Sequence, residues 1–169
     1  MSKELLSLEA EILFVKKHEE AIIPSKRDDD CGYDIYACFE EDYIEIQPGE
    51  IKMIPTGIAS ALPSHYGFIV KERGSTGSKG LSVRCGVIDS SYRGEWFIAL
   101  NNTANKTIVI AKYPSDFDGE KLIVYPYAKA IAQAILVLVP DVKVKEISKE
   151  ELSQLSSERG EGKLGSSGK

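Results

Sequence analysis

Short apolar runs separated by turn-forming clusters dominate this chain. They fall at residues 11–15, 43–46, 51–55, 67–70, 81–83, 96–100, 107–110, 122–125 and 131–139, and are rich in Ile, Val, Leu and aromatic side chains. Most are too short for amphipathic helices, and segments such as Gln47-Pro48-Gly49 punctuate them, so they predict the strands of an all-β sandwich or barrel. Helical periodicity is scarce. The one clear helix start is Ser148-Lys149-Glu150-Glu151, a capping box ahead of Leu152 and Leu155, in which the serine oxygen and the glutamate carboxylate each accept a helix-start N–H and support a turn or two.

Composition narrows the function. A length of 169 residues with 43% hydrophobic content suits one domain with a real core. Residues 159–169 differ from the rest in being built mostly of Gly, Ser and charged residues, which predicts a β domain over 1–158 followed by a flexible C-terminal arm. A net charge of −5 argues against a nucleic-acid polymer as partner, because that contact needs a basic face. An anionic small molecule stays open, since a few local cations and N–H groups bind one against an acidic average. No apolar run is long enough to cross a bilayer, and Met1-Ser2-Lys3-Glu4 is not followed by a signal-peptide core, which predicts a cytoplasmic protein without a membrane contact. Cys31, Cys38 and Cys85 show neither CxxC nor zinc spacing and read as reduced packing residues. His18 and His65 are isolated and read as surface residues.

Residues with chemistry to offer gather in a few places. In Gly86-Val87-Ile88-Asp89-Ser90-Ser91-Tyr92-Arg93-Gly94, a Val-Ile step carries a strand to Asp89, Ser90-Ser91 supplies turn chemistry, and Gly94 releases the chain into Trp96-Phe97-Ile98. One carboxylate and one tyrosine are thereby held at a rim. A lone aspartate at a strand end is by default a turn former, and its neighbours shift the balance toward a site. Asp30-Cys31-Gly32-Tyr33-Asp34 puts two carboxylates around a glycine turn, which suits a hydrated magnesium ion or, equally, a solvated acidic loop. Arg73-Gly74-Ser75-Thr76-Gly77-Ser78-Lys79-Gly80 offers bare backbone, hydroxyls and two cations. It reads as an anion cradle or as a Gly-Ser-rich turn, and it lacks the GxxxxGK[ST] order of a P-loop. Gln133 opens a strand, where its amide bonds either a backbone group or a phosphate. The terminal arm reads as a disordered end or as a cover for phosphates.

These segments follow the order and separations of the five motifs of the trimeric dUTP nucleotidohydrolases, the dUTPases, and the chain resembles that family over nearly its whole length. The matching stretches are 30–37, 73–79, 86–94, 131–135 and 159–168. The resemblance implies a β jelly roll, a homotrimer, and hydrolysis of dUTP to dUMP and pyrophosphate with Mg2+. It assigns Asp89 as the base that activates water against the α-phosphorus. Arg73, Gly74, Ser75, Thr76, Gln133, Arg159, Gly165, Ser166 and Ser167 match or neighbour phosphate-contacting positions. By the same resemblance, Tyr92 is expected to pack under the deoxyribose and leave no space for a 2′-hydroxyl, and the backbone from Val83 through Gly86 and Val87 to read the uracil edge. The resemblance also implies that Asp34 reaches the metal through water, with the substrate phosphates supplying the metal's other ligands.

Three departures from the family pattern stand out. Arg73-Gly74-Ser75 replaces the usual Arg-Ser-Gly or Arg-Ser-Ser, so the hydroxyl is displaced by one position. Leu164 stands where a phenylalanine usually stacks on uracil, and Trp96 or Phe97 is expected to supply the missing lid. Ala128-Lys129-Ala130 replaces a Gly-acidic-basic turn at the entry to the fourth motif. The stretch 103–126 is longer than in compact members, and its acidic part, 112–120, carries Tyr113 and Phe117. Inserts near this place in some phage-borne relatives bind proteins, which makes a nucleotide-sensing regulator with a protein partner the alternative function. The related dCTP deaminases share the Gly-x-Ile-Asp hairpin but use a glutamate soon after it, where this chain has Ile98-Ala99-Leu100.

Overall fold

The computed structural model describes residues 11–157 and 160. Twelve strands account for most of it: β1 (Leu13–Lys16), β2 (Gly32–Ile35), β3 (Tyr43–Ile46), β4 (Ile51–Pro55), β5 (Ile58–Ala61), β6 (Tyr66–Lys71), β7 (Leu81–Arg84), β8 (Val87–Ile88), β9 (Phe97–Asn102), β10 (Ile108–Ala111), β11 (Ile123–Pro126) and β12 (Ala132–Leu138). They form small sheets in the orders β1-β5, β11-β10-β3, β2-β12-β6-β8 and β4-β9-β7, the all-β architecture that the alternation of short strands and turns predicts and the jelly roll that the family resemblance implies. Every pair except β10–β11 joins strands that are not consecutive in the chain, so the core closes only when distant segments meet.

That core is aliphatic and aromatic. Phe68 on β6 sits at its middle, with ring centroids 5.3 Å from Trp96, 5.8 Å from Tyr33 and 6.1 Å from Phe14. All four residues of β10 are buried, and each large apolar side chain so placed contributes roughly 1.5–3 kcal/mol. The predicted runs recur as strands with ends shifted by a residue or two. Strands β2 and β5 were not predicted, because Gly32-Tyr33-Asp34 reads as a turn and Ala59-Ser60-Ala61 is short and weakly apolar.

Two short helices complete the chain. Gly74–Gly77 forms a single turn, α1, inside the segment read as a cradle or turn. Lys149–Ser153 forms α2, capped as predicted: Ser148 Oγ accepts from the Glu151 N–H at 3.0 Å, and the Glu151 carboxylate accepts from the Ser148 N–H at 2.8 Å.

The stretch read as an insert divides into parts with different duties. β10 and β11 lie within it and belong to the sheet, and they run parallel, with Ile108 opposite Ile123 and Ala111 opposite Pro126. Residues 112–122 therefore carry the chain back along the whole of β10, as a parallel connection must. A 3-10 turn at Pro114–Asp116 lies on this path, Tyr113 is exposed, and Phe117 packs edge-on against Tyr43 at 5.0 Å. No helix among the described residues is long and apolar enough to cross a membrane.

Candidate active site

β2, β12 and the turn after β6 meet at one end of the four-stranded sheet. Asp34 pairs with Gln133 in the β2–β12 register, and the two open with Arg73, Gly74 and Ser75 into a cleft of about 680 Å³. Close approach here demands Gly32, because a Cβ would lie 2.6 Å from Gln133 Oε1. Arg73 Nε stands 2.9 Å from Asp34 Oδ1, its Nη2 donates to Asp34 Oδ2 at 3.3 Å, and its Nη1 donates to the Ala130 carbonyl at 3.4 Å. A planar guanidinium gripped on both sides keeps its direction before any anion arrives. Gln133 Nε2 donates to the Glu72 carbonyl at 2.9 Å, the backbone bond that its sequence context left open.

Lys26 and Arg27 also line this cleft, and sequence reasoning missed both. The available signal was a basic pair directly before the Asp28–Asp30 run. Arg27 bonds Asp30 through Nε at 2.9 Å and Nη2 at 3.0 Å, and these bonds hold the Asp30 carboxyl below its usual range.

Asp89 directly follows β8, at the opposite edge of that sheet from β2. The strand is fixed by the register Ile69 to Val87 with β6 and by the Gly86 carbonyl, which accepts from the Val70 N–H at 2.6 Å. A Cβ on Gly86 would collide with the Val70 carbonyl oxygen, so this glycine sets how closely the hairpin approaches β6. Beyond Asp89, the Tyr92 N–H donates to the Asp89 carbonyl at 3.1 Å, and the Tyr92 hydroxyl folds back over Gly94 to donate to the Glu95 carbonyl at 3.0 Å. Asp89, Tyr92, Val87, Phe97 and Met53 line a second cleft of about 240 Å³. No residue lines both clefts. One chain thus holds the Arg73-Gly74-Ser75 turn and the exposed Asp89 carboxylate in separate clefts.

Several expectations are corrected by placement. Trp96 has 0% exposure and packs against Phe14 and Phe68. It is core, and Phe97 alone, at 43% exposure on the rim of the second cleft, stays available as a lid. Thr76 is fully buried. Its Oγ1 accepts from the Arg73 N–H at 2.9 Å and donates to the Arg73 carbonyl at 3.1 Å, so it closes the α1 turn rather than facing a substrate. The Val83 N–H donates to Glu72 Oε2 at 3.4 Å. Of the cysteines only Cys38 packs inside, while Cys31 and Cys85 are exposed, Cys85 at the second cleft with φ +52°. His18 is exposed, as expected, yet it stands 3.9 Å from Glu95. The expected roles of Arg159, Leu164, Gly165, Ser166 and Ser167 fall outside the described residues.

The dUTPase family model matches residues 18–114. The deoxyuridine 5′-triphosphate nucleotidohydrolase of Nautilia profundicola is 36% identical over 158 residues, spanning 91% of this chain and 96% of that protein. The chain belongs to the dUTPase family. A second dUTPase, the nucleotidohydrolase of Clostridioides difficile, is 37% identical over 162 residues, 92% of this chain and 97% of its own length. Among solved structures, a mutant dUTPase of Staphylococcus bacteriophage 80alpha with dUpNHpp superposes with a TM-score of 0.74 at 25% identity, covering 94% of this chain and 99% of that one. A dUTPase from phage phi11 of S. aureus, a mutant that coordinates a structural Mg(II) ion, superposes with a TM-score of 0.66 at 20% identity over 82% of this chain and 97% of that one.

Proposed function

We propose that this protein hydrolyses dUTP to dUMP and pyrophosphate, with Asp89 as the base. A water oxygen forms a bond to the α-phosphorus, the bond from that phosphorus to the bridging oxygen breaks, and the Asp89 carboxylate takes the water proton. A carboxylate so placed supplies roughly 10²–10⁴-fold. The leaving pyrophosphate needs its growing charge met by donors already in place. Arg73, the hydroxyl of Ser75 and the open backbone at Gly74, where nothing lies within 4 Å of a Cβ position, are those donors, with Arg159, Gly165, Ser166 and Ser167 covering the phosphates from the arm. Tyr92 meets the deoxyribose, Gly86 and Val87 meet the uracil, and Phe97 beside Leu164 covers the base.

Magnesium suits these residues. Among the described residues no group of three or more His, Cys, Asp or Glu side chains is arranged to hold a metal ion; Asp30 and Asp34 both line the cleft with Arg73, Asp30 paired with Arg27 and Asp34 with Arg73. Mg2+ commonly keeps several waters and binds through one or two carboxylates plus substrate phosphates, which matches Asp34 acting through water. When bound, the ion neutralises phosphate charge.

The observation that carries this reading is the division of the chemistry between two clefts with no shared lining. Assembly resolves it: Asp89 and Tyr92 of one copy face Arg73 and Asp34 of another within a homotrimer. The protein works on free nucleotide in the cytoplasm. Pyrophosphate release from dUTP, UTP, dCTP and dTTP in parallel, with magnesium, tests the reaction, and selective cleavage of dUTP is expected. Mixing the Asp89→Asn and Arg73→Ala proteins after joint refolding tests the assembly. Partial recovery of activity is expected, and none in the mixture overturns a site shared between copies.

A further inference from the structure

The turn that presents Tyr92 is tied to a part of the fold that none of the five motifs contains. Gly57, between β4 and β5, has φ +66°, and its N–H donates to Glu95 Oε1 at 2.8 Å. On either side of it, Thr56 Oγ1 donates to the Trp96 carbonyl at 2.6 Å, and the Ile58 carbonyl accepts from the Trp96 N–H at 2.8 Å. Gly57 itself has nowhere to go. A Cβ there would lie 2.8 Å from the Ala21 Cβ and 3.0 Å from Cys38 Sγ, so the β4–β5 turn is a fixed post. Glu95 connects that post to the tyrosine, because its carboxylate holds Gly57 while its own carbonyl accepts the Tyr92 hydroxyl at 3.0 Å.

Glu95 is unusual in this position. Its side chain is only 18% exposed, and the imidazole His18 Nε2 lies 3.9 Å from its other oxygen. A largely covered carboxylate spent on one main-chain N–H gives a charge-assisted bond, shorter and more directional than a neutral one. Arg93 adds a second tie on the same turn, donating from Nη1 to the Ser90 carbonyl at 2.6 Å and to the Ser60 carbonyl of β5 at 3.3 Å. The ring of Tyr92 is thereby referenced to the β4–β5 unit.

We infer that Glu95 is a positioning residue for sugar selection: by anchoring the Tyr92 turn to Gly57, it sets the ring where a 2′-hydroxyl does not fit. The inference rests on the dUTP reading above and goes beyond it by naming what holds the ring. A loosened turn admits a ribose at a smaller penalty, so the loss falls on discrimination rather than on the chemical step at Asp89.

The test is the ratio of kcat/KM for dUTP to that for UTP in the full-length protein, with thermal melting measured alongside. Glu95→Ala is expected to lower the ratio about tenfold, the effect of one charge-assisted hydrogen bond. Glu95→Gln keeps an oxygen acceptor for Gly57 and is expected to restore most of the ratio. Should Glu95→Ala not fold, Glu95→Asp, one methylene short of Gly57, carries the same expectation. An unchanged ratio in a folded Glu95→Ala or Glu95→Asp protein overturns the inference, as does an equal fall for both nucleotides with a lowered melting temperature, which marks a purely structural role. A parent protein that releases no pyrophosphate from dUTP fails the underlying reading instead.

Discussion

Replacing Gly86 by alanine tests whether the hairpin's approach to β6 places the base. The added methyl meets the Val70 carbonyl oxygen head-on and lies 3.2 Å from the Val70 carbonyl carbon, main-chain atoms of a strand paired on both sides. Neither can rotate away, so the hairpin must lift. Two costs follow. The Val70 N–H to Gly86 carbonyl bond at 2.6 Å is weakened or lost, about 1 kcal/mol, and overpacking against fixed backbone adds about 1–3 kcal/mol. The sum, about 2–4 kcal/mol, lowers the melting temperature by about 5–15 °C for a domain of this size. Asp89 lies three residues further on, and a displacement of about 1 Å at a reacting group costs on the order of 10²-fold in rate. Calorimetry and pyrophosphate release on the same preparation read both effects. A Gly86→Ala protein that melts with the parent refutes the steric account, and one that melts early yet turns over dUTP at the parent rate refutes the link from this glycine to the base.

Further outcomes follow from the same geometry. Trp96→Ala is expected to lose about 3–5 kcal/mol of stability, whereas Phe97→Ala should melt near the parent and bind a dUTP analogue more weakly; denaturant melts and calorimetric titration separate the two. Glu72 is held below the usual glutamate pKa first by its own backbone N–H, then by that of Val83, with Lys71 adding to the effect. Its stabilisation is therefore full above the unfolded value of about 4.3 and is lost as pH falls through the lower folded value. Urea midpoints for the parent and Glu72→Gln should accordingly differ at pH 6 and converge in acid; a gap that widens on acidification contradicts the assignment. Excising residues 113–120 leaves three residues, about 10 Å at full stretch, to return along β10 and reverse twice, so the deletion should lower stability as well as remove Tyr113. Replacing Tyr113 by serine instead should leave both melting and turnover unchanged.

The strands that were legible in the sequence are those whose own residues carry the pattern. β3, β4, β9 and β10 are apolar enough to announce themselves, and the Ser148 cap marked α2 because its logic is local. What escaped depends on partners far along the chain. β2 is a strand because it pairs with β12, about a hundred positions away, and the Arg73 fork is directed by Asp34 and Ala130, on separate strands or turns. The motifs name both halves of the proposed chemistry, but no periodicity says that these residues line different clefts. Trp96 misled for a related reason. Beside Phe97 it reads as a surface pair, yet consecutive residues entering a strand face opposite sides, and only one of two such neighbours reaches solvent.

The most direct measurement is single-turnover cleavage of dUTP by the Asp89→Asn protein beside its affinity for a nonhydrolysable dUTP analogue. The amide keeps the shape of the side chain and loses its capacity to take a proton. A fall in cleavage of at least about 10²-fold with analogue affinity near the parent's is the outcome expected of a base at position 89. Cleavage at the parental rate contradicts it.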